Sequence, residues 1–232
     1  MPGSERDGLK RKAALRAVEY VRGGMVVGLG TGSTAEPAVR ELGRRVREMG
    51  LDIRGVPTSK KTERLAREVG IPLTTLEECP RLDVTIDGAD EVLLPGLDAI
   101  KGMGGALLYE KIVALATDQE IFVADESKVV QRLGTHSPLP VEVVQFGWTL
   151  TRDRVEALGC RAVRREDASD APFVTDAGNY LLHCTFEGIS DPYSLARDLS
   201  QITGVVEHGL FLGLARRVVI AGESGVRVVE RD

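Results

Sequence analysis

The chain has 232 residues, 43% hydrophobic and 28% charged, with a formal net charge of −5 and a pI near 5.4. That is the composition of a globular protein long enough to bury a sizeable core, as one large unit or one with a smaller companion. A net-negative chain has no general attraction for nucleic acid or an anionic membrane, and no apolar run is long enough to span a bilayer, so an anionic ligand needs a local set of donors and cations.

Apolar residues at Leu9, Ala13, Ala14, Ala17, Val18 and Val21 recur at helical spacing and predict a first helix, stopped by Gly23-Gly24. The charged stretch Met1 to Leu15 has no apolar signal-peptide core, so a cytoplasmic location is the expectation. Met25 to Leu29 reads as a buried strand, and Gly30-Thr31-Gly32-Ser33-Thr34 turns directly into a helix reaching about Met49. A strand near Ile53 to Val56, a helix from Lys60 to Val69, a short strand around Leu73 and a buried strand Val84 to Asp87 follow. Gly104 to Thr117 reads as a helix apolar nearly all round, then Ile121 to Ala124 as a strand. Strands alternating with helices of these lengths predict parallel βαβ units, hence an α/β fold with a Rossmann-like, mostly parallel sheet.

The pattern changes after about Val130. A strand Pro138 to Val144, a helix Thr151 to Leu158, a strand Arg161 to Arg165, a hairpin of Phe173 to Thr175 with Tyr180 to Phe186 around Asp176-Ala177-Gly178-Asn179, a helix Leu195 to Ile202 and a strand Val205 to His208 predict a second, smaller α+β (ferredoxin-like) domain. Val218 to Ala221 and Val226 to Val229 return to the first. The expected division is 1–130 plus 206–232 for the larger domain and 131–205 for the smaller.

Cys79, Cys160 and Cys184 are scattered, as are His136, His183 and His208. The expectation is reduced thiols and no metal site.

Three segments carry chemistry. Gly28 to Thr34 is a glycine-rich strand-to-helix turn, where backbone N–H groups, the helix dipole and the hydroxyls of Thr31, Ser33 and Thr34 make a phosphate cradle; the bland alternative is a turn needed only for packing. It departs from the dinucleotide fingerprint, with Ser33 in place of the third glycine and Val56-Pro57-Thr58-Ser59 where an acid belongs. Asp87-Gly88-Ala89-Asp90-Glu91 ends an apolar strand, at the edge where open parallel sheets bind ligands, although a solvated acidic loop reads the same way. Lys101-Gly102-Met103-Gly104 precedes a second helix entry, and Glu110 on that helix shares a face with Ala106, Val113, Ala114 and Thr117. Burial there raises a carboxyl's pKa into the range of a usable base, unless the residue is merely an internal ion-pair partner. Lys128 stands just past another strand end. Two cradles, two lysines and three carboxylates suit a phosphorylated, hydroxyl-rich anion and proton movement beside a carbonyl.

These motifs, GTGSTA at Gly30 to Ala35, DGADE at Asp87 to Glu91, KGMGGAL…EK at Lys101 to Lys111 and ADESK at Ala124 to Lys128, with PLPVEV at Pro138 to Val143 and GVVEHGLF at Gly204 to Phe211, resemble the ribose-5-phosphate isomerase A family in order and spacing across nearly the full chain. Met103 departs from the family's glycine at that point, where only the backbone is needed. The resemblance implies an aldose–ketose isomerase of the non-oxidative pentose phosphate pathway that interconverts ribose 5-phosphate and ribulose 5-phosphate without a cofactor. It implies Glu110 as the catalytic base, Asp87 as the acid–base group for ring opening and hydroxyl protons, and Lys101 as the cation on the developing oxyanion. Asp90 would hold substrate hydroxyls, and Thr31, Gly32, Ser33, Thr34, Gly88, Ala89, Gly102, Met103, Gly104 and Lys128 would complete the binding segments. It also implies a homodimer or homotetramer. The rival reading is a non-catalytic sugar-phosphate sensor on the same scaffold.

Overall fold

A computed structural model of the chain describes residues 3–231. Its centre is a six-stranded sheet of β1 (Val26–Leu29), β2 (Arg54–Pro57), β3 (Leu82–Gly88), β6 (Thr117–Asp125), β13 (Ala215–Gly222) and β14 (Gly225–Glu230). The order is β14-β13-β6-β3-β1-β2, with every pairing parallel except the terminal β13–β14 hairpin. Alternation along the strands sends side chains to two cores. Val27, Leu29, Ile121, Val123, Val219 and Ala221 face α1 (Gly3–Val18), α2 (Glu36–Met49) and α3 (Lys60–Glu68), while Phe122, Ala124, Val218 and Ile220 face the other way. The α/β, Rossmann-like expectation is thereby met.

The second face is covered by α4 (Leu107–Leu115) and by a small sheet the sequence did not announce. Its strands are β4 (Glu91–Leu93), β5 (Asp98–Ile100), β7 (Val129–Val130) and β12 (Leu210–Phe211), in the order β12-β5-β4-β7. Strands of two or three residues are too short to show a period.

The remaining elements are β8 (Leu139–Val143), α5 (Trp148–Glu156), β9 (Arg161–Arg164), β10 (Tyr180–Thr185), α6 (Pro192–Ser200) and β11 (Val205–His208). They form an antiparallel sheet, β11-β8-β10-β9, with a core of its own around Val141, Val155, Leu182 and Leu199. This is the split βαβ order of a ferredoxin-like unit. Residues 206–208, expected with the larger domain, lie in β11 and so in this sheet. Residues 173–175 form only a single bridge, Val174 to Tyr180, rather than a strand.

Two helix starts also differ from expectation. α2 begins at Glu36, because Gly32 adopts φ +102° and residues 33–35 form a turn. α4 begins at Leu107, since Gly102 and Gly105 both take positive φ. Nor is α4 buried all round, as its apolar sequence suggests: Ile112 and Leu115 are exposed.

Candidate active site

The site forms where β1 and β3 lie side by side while the chain leaves them in opposite directions across the sheet, the crevice where parallel sheets hold ligands. β1 runs into Gly30, whose N–H donates to the Ile86 carbonyl at 3.0 Å. Any Cβ at Gly30 would collide with that carbonyl and the Asp87 carboxylate, so glycine is what lets the turn lie against β3. The Thr31 N–H then donates to Asp87 Oδ1 at 3.0 Å.

The Thr31 hydroxyl is committed inward. It sits 2.7 Å from Thr58 Oγ1, 2.8 Å from Ser59 Oγ and 3.1 Å from Thr62 Oγ1, and Thr62 donates to the Gly30 carbonyl at 3.0 Å. Thr58 and Ser59 stand where a dinucleotide site carries its acid, and they brace the turn instead. What the turn offers outward is backbone: the N–H groups of Gly32, Ser33 and Thr34 meet no protein acceptor among the described residues. Lys10, on α1, brings its ammonium within 3.1 Å of Ser33 Oγ. Sequence reasoning missed this lysine, which sits on a helix whose other face is core.

Across the crevice, Asp87 ends β3 and also accepts the Gly88 N–H at 2.7 Å. Lys101 follows β5, and its ammonium lies 3.1 Å from Asp87 Oδ2 and 3.6 Å from Glu110 Oε2. It donates to the Gly88 carbonyl and packs over the rings of Phe122 and Phe211, 5.5 and 5.1 Å from their centroids. Asp87, Lys101 and Glu110 are 1%, 2% and 4% exposed, so these charges interact with little solvent between them. Asp90 is half-buried, and its Oδ2 accepts the Met103 N–H at 3.0 Å, tying the second glycine-rich turn to the end of β3. From the smaller unit, Arg165 donates to the Met103 carbonyl at 2.9 Å and stacks 3.9 Å from the Phe173 centroid. Ala89 is buried behind Asp90, and Gly104 is exposed on the turn. Lys128 lies in a short 3-10 turn past the carboxyl end of β6, at the same sheet edge, with no hydrogen bond or ion pair to the others among the described residues.

One buried cation thus faces several buried acids, and they cannot all ionise. Burial, followed by the field of Asp87, pushes the Glu110 carboxyl up to about 8 despite the pull of Lys101. Burial raises Asp87 as well, opposed by Lys101 and by the two N–H groups it accepts. For Lys101 burial works against the ammonium, but Asp87, Glu110 and Glu120 outweigh it and hold it charged. Glu120 is the fourth acid, 1% exposed on the Phe122 side of β6, and neither of its oxygens has a hydrogen-bond partner. Burial first, then Asp87, raises its carboxyl well above the ordinary range. A glutamate directly before the apolar run Ile121 to Ala124 is the signal that could have found it.

The chain matches the family described as ribose 5-phosphate isomerase A (phosphoriboisomerase A) over residues 54–225. A ribose-5-phosphate isomerase A of Synechococcus sp. (strain JA-3-3Ab) is 53% identical over 97% of this chain and 98% of its own length. The chain belongs to the ribose-5-phosphate isomerase A family. Its fold follows suit. The solved ribose 5-phosphate isomerase A of Methanocaldococcus jannaschii superposes with a TM-score of 0.93 at 40% identity, over 97% of this chain and 100% of that one. A D-ribose-5-phosphate isomerase solved in complex with phospho-erythronic acid gives 0.94 at 36% identity, over 97% and 99%. In this ribose-5-phosphate isomerase A family member, Asp87, Lys101 and Glu110 come together as a single buried cluster, flanked by both glycine-rich turns.

Proposed function

We propose that this chain interconverts D-ribose 5-phosphate and D-ribulose 5-phosphate by proton transfer through an enediolate, as a step of the non-oxidative pentose phosphate pathway. The observation that carries the reading is the Glu110 carboxylate, dry, raised to about 8 and 3.6 Å from a buried ammonium. A carboxyl poised near neutrality is matched to taking and returning a proton on carbon. In the open-chain aldose, Glu110 removes the hydrogen on C2, and the electron pair moves to form the C1–C2 double bond while the carbonyl O1 becomes anionic. Lys101 stabilises that charge. Such a preorganised donor in a site shielded from water is worth roughly 10²–10³-fold in rate. Glu110 then delivers its proton to C1, and O2 gives up its hydroxyl proton as the ketone forms.

Asp87, held by two N–H groups and Lys101, serves ring opening and the movement of hydroxyl protons between O1 and O2. Asp90 and the Lys101 to Gly104 turn hold the sugar hydroxyls. The free N–H groups of Gly32 to Thr34, with Ser33, Lys10 and Lys128, meet the phosphate. Phospho-erythronic acid, bound by a solved relative, couples a phosphate to a planar carboxylate, which supports a site made for an anion at each end.

A coupled assay for ribulose 5-phosphate, run on the purified protein with and without chelator, tests the reading. Turnover that chelator leaves unchanged is the expected result. Tight binding of ribose 5-phosphate with no turnover would replace it with the sensor alternative.

We further read residues 131–208 as a separate small domain whose surface serves self-association into a dimer or tetramer, in a cytoplasmic protein. Phe146, 95% exposed, and Leu150, exposed four positions later on the same unit, support a covered face. Sedimentation velocity of the parent and of Phe146→Ser checks the assembly.

A further inference from the structure

Lys111 adjoins Glu110 but points the other way, and the mechanism above gives it nothing to do. Its side chain is nearly buried, and its three polar contacts all belong to the end of β11. Its ammonium is 2.6 Å from Glu207 Oε1, donates to the His208 carbonyl and lies 3.3 Å from His208 Nδ1. His208 Nδ1 also receives the Leu210 N–H at 3.3 Å, which makes it the acceptor nitrogen of a neutral ring.

The same short stretch of chain fixes Lys101. The Lys101 N–H donates to the Gly209 carbonyl at 2.9 Å, and a Cβ on Gly209 would collide with the Lys101 carbonyl. Phe211 in β12 lies 5.1 Å from the Lys101 ammonium and 5.1 Å from that of Lys111, so one ring is shared by both cations. Residues 207–211 therefore register the two sides of the proton-transfer pair against each other.

α4 packs Leu107, Val113 and Ala114 inward, but apolar contacts of this kind set its depth more than its rotation and register. It has nine residues, no side-chain cap at Ala106, and Ile112 and Leu115 in solvent. We propose that Lys111, gripped by Glu207 and His208, is a positioning residue for the isomerisation, setting α4 so that the adjacent Glu110 presents its carboxylate to Lys101. Stability alone does not account for the pair. A buried ion pair is commonly no more stabilising than apolar side chains of the same size, and its best-attested use is fixing register. A carboxylate displaced by about 1 Å from its reacting carbon costs on the order of 10²-fold in rate. The Gly30 to Thr34 turn joins β1 to α2 and shares no contact with Lys111 among the described residues, so the grip on the substrate's phosphate is spared.

The inference rests on the isomerase reading, and the experiment separates the two. kcat and KM for ribose 5-phosphate are measured for the full-length parent, Lys111→Met, Glu207→Leu, Glu207→Gln and the double variant Lys111→Met/Glu207→Leu, each normalised to its folded fraction. Lys111→Met and Glu207→Leu are expected to lose roughly 30- to 100-fold in kcat with KM within about twofold of the parent. Glu207→Gln, which still offers an oxygen to the ammonium, should stay within about fivefold. The double variant should fall no further than either single, because both cut one link. If Lys111→Met does not fold, the contrast between Glu207→Leu and Glu207→Gln decides alone. A kcat for the leucine variant within about threefold of the parent, a KM that rises as far as kcat falls, or losses that multiply in the double variant would each overturn the proposal. A parent with no turnover would overturn the isomerase reading and this one with it.

Discussion

Glu110→Gln should cost the protein its activity and return stability. The substitution keeps size and shape, so the change is one of charge. In the folded chain burial and Asp87 raise this carboxyl from its ordinary 4.5 to about 8, with Lys101 opposing. Each factor of ten in proton affinity is worth about 1.4 kcal/mol. For an acid raised on folding, the folded state gains nothing below the unfolded pKa and loses stability as pH climbs from there, until the folded group has itself ionised. Glu110 therefore disfavours the fold by less than about 1 kcal/mol at pH 5, about 3 at pH 7 and about 5 at pH 9, as upper bounds. In a chain of this length 1 kcal/mol moves Tm by roughly 2–4 °C. Thermal melts of parent and Glu110→Gln, followed by circular dichroism at pH 5, 7 and 9, should diverge with rising pH, the glutamine variant melting higher. The same variant should lose at least about 10³-fold in kcat while still binding ribose 5-phosphate, because an amide cannot take the proton. Melting curves that keep a constant gap across pH, or a glutamine variant that melts lower at pH 9, would show that the carboxyl is not held in dry surroundings. Turnover near the parent value would remove it from the chemistry.

The free enzyme's Glu110 must be ionised to act as a base. kcat/KM should therefore rise about tenfold per pH unit below about 8 and level off above it; a rate independent of pH between 6 and 8 contradicts the assignment. Lys101→Ala removes the cation between two buried acids. It should lower kcat/KM by at least about 10²-fold, and an unchanged value takes Lys101 out of the site. Gly30→Ala drives a methyl into the Asp87 carboxylate and the Ile86 backbone, neither of which can step aside. A loss of more than about 2 kcal/mol in urea unfolding is expected, with turnover lost in what remains folded; near-parent values would mean β1 and β3 tolerate separation.

Legibility followed length and period. Val26–Leu29, Leu82–Gly88 and the βαββαβ run from Leu139 to His208 have apolar patterns long enough to show what they are, and glycines mark their ends. Asp87, Lys101 and Glu110 were legible because each breaks an apolar or glycine-rich pattern at an element end. Lys10 and Glu120 were not, as their place at the site depends on which strands lie side by side. The β12-β5-β4-β7 sheet was illegible for the same reason: its β5–β12 pairing joins Ile100 to Leu210, and its β4–β7 pairing joins Val92 to Val129. The Thr31 hydroxyl read as a donor to ligand, yet it is consumed by Thr58, Ser59 and Thr62, a cluster that only the β1–β2 pairing brings about.

The pairing of β5 with β12 also has a consequence for how the protein is made. Lys101 sits beside β5, whose neighbour Leu210–Phe211 is translated more than a hundred residues later, and β6 gains its outer partner only when β13 emerges. A ribosome-bound chain of 200 residues would already hold every carboxylate of the site but not the strand that seats its ammonium. Catalytic competence should arrive late and all at once, and until then the bare edge of β6 is left for chaperones to shield.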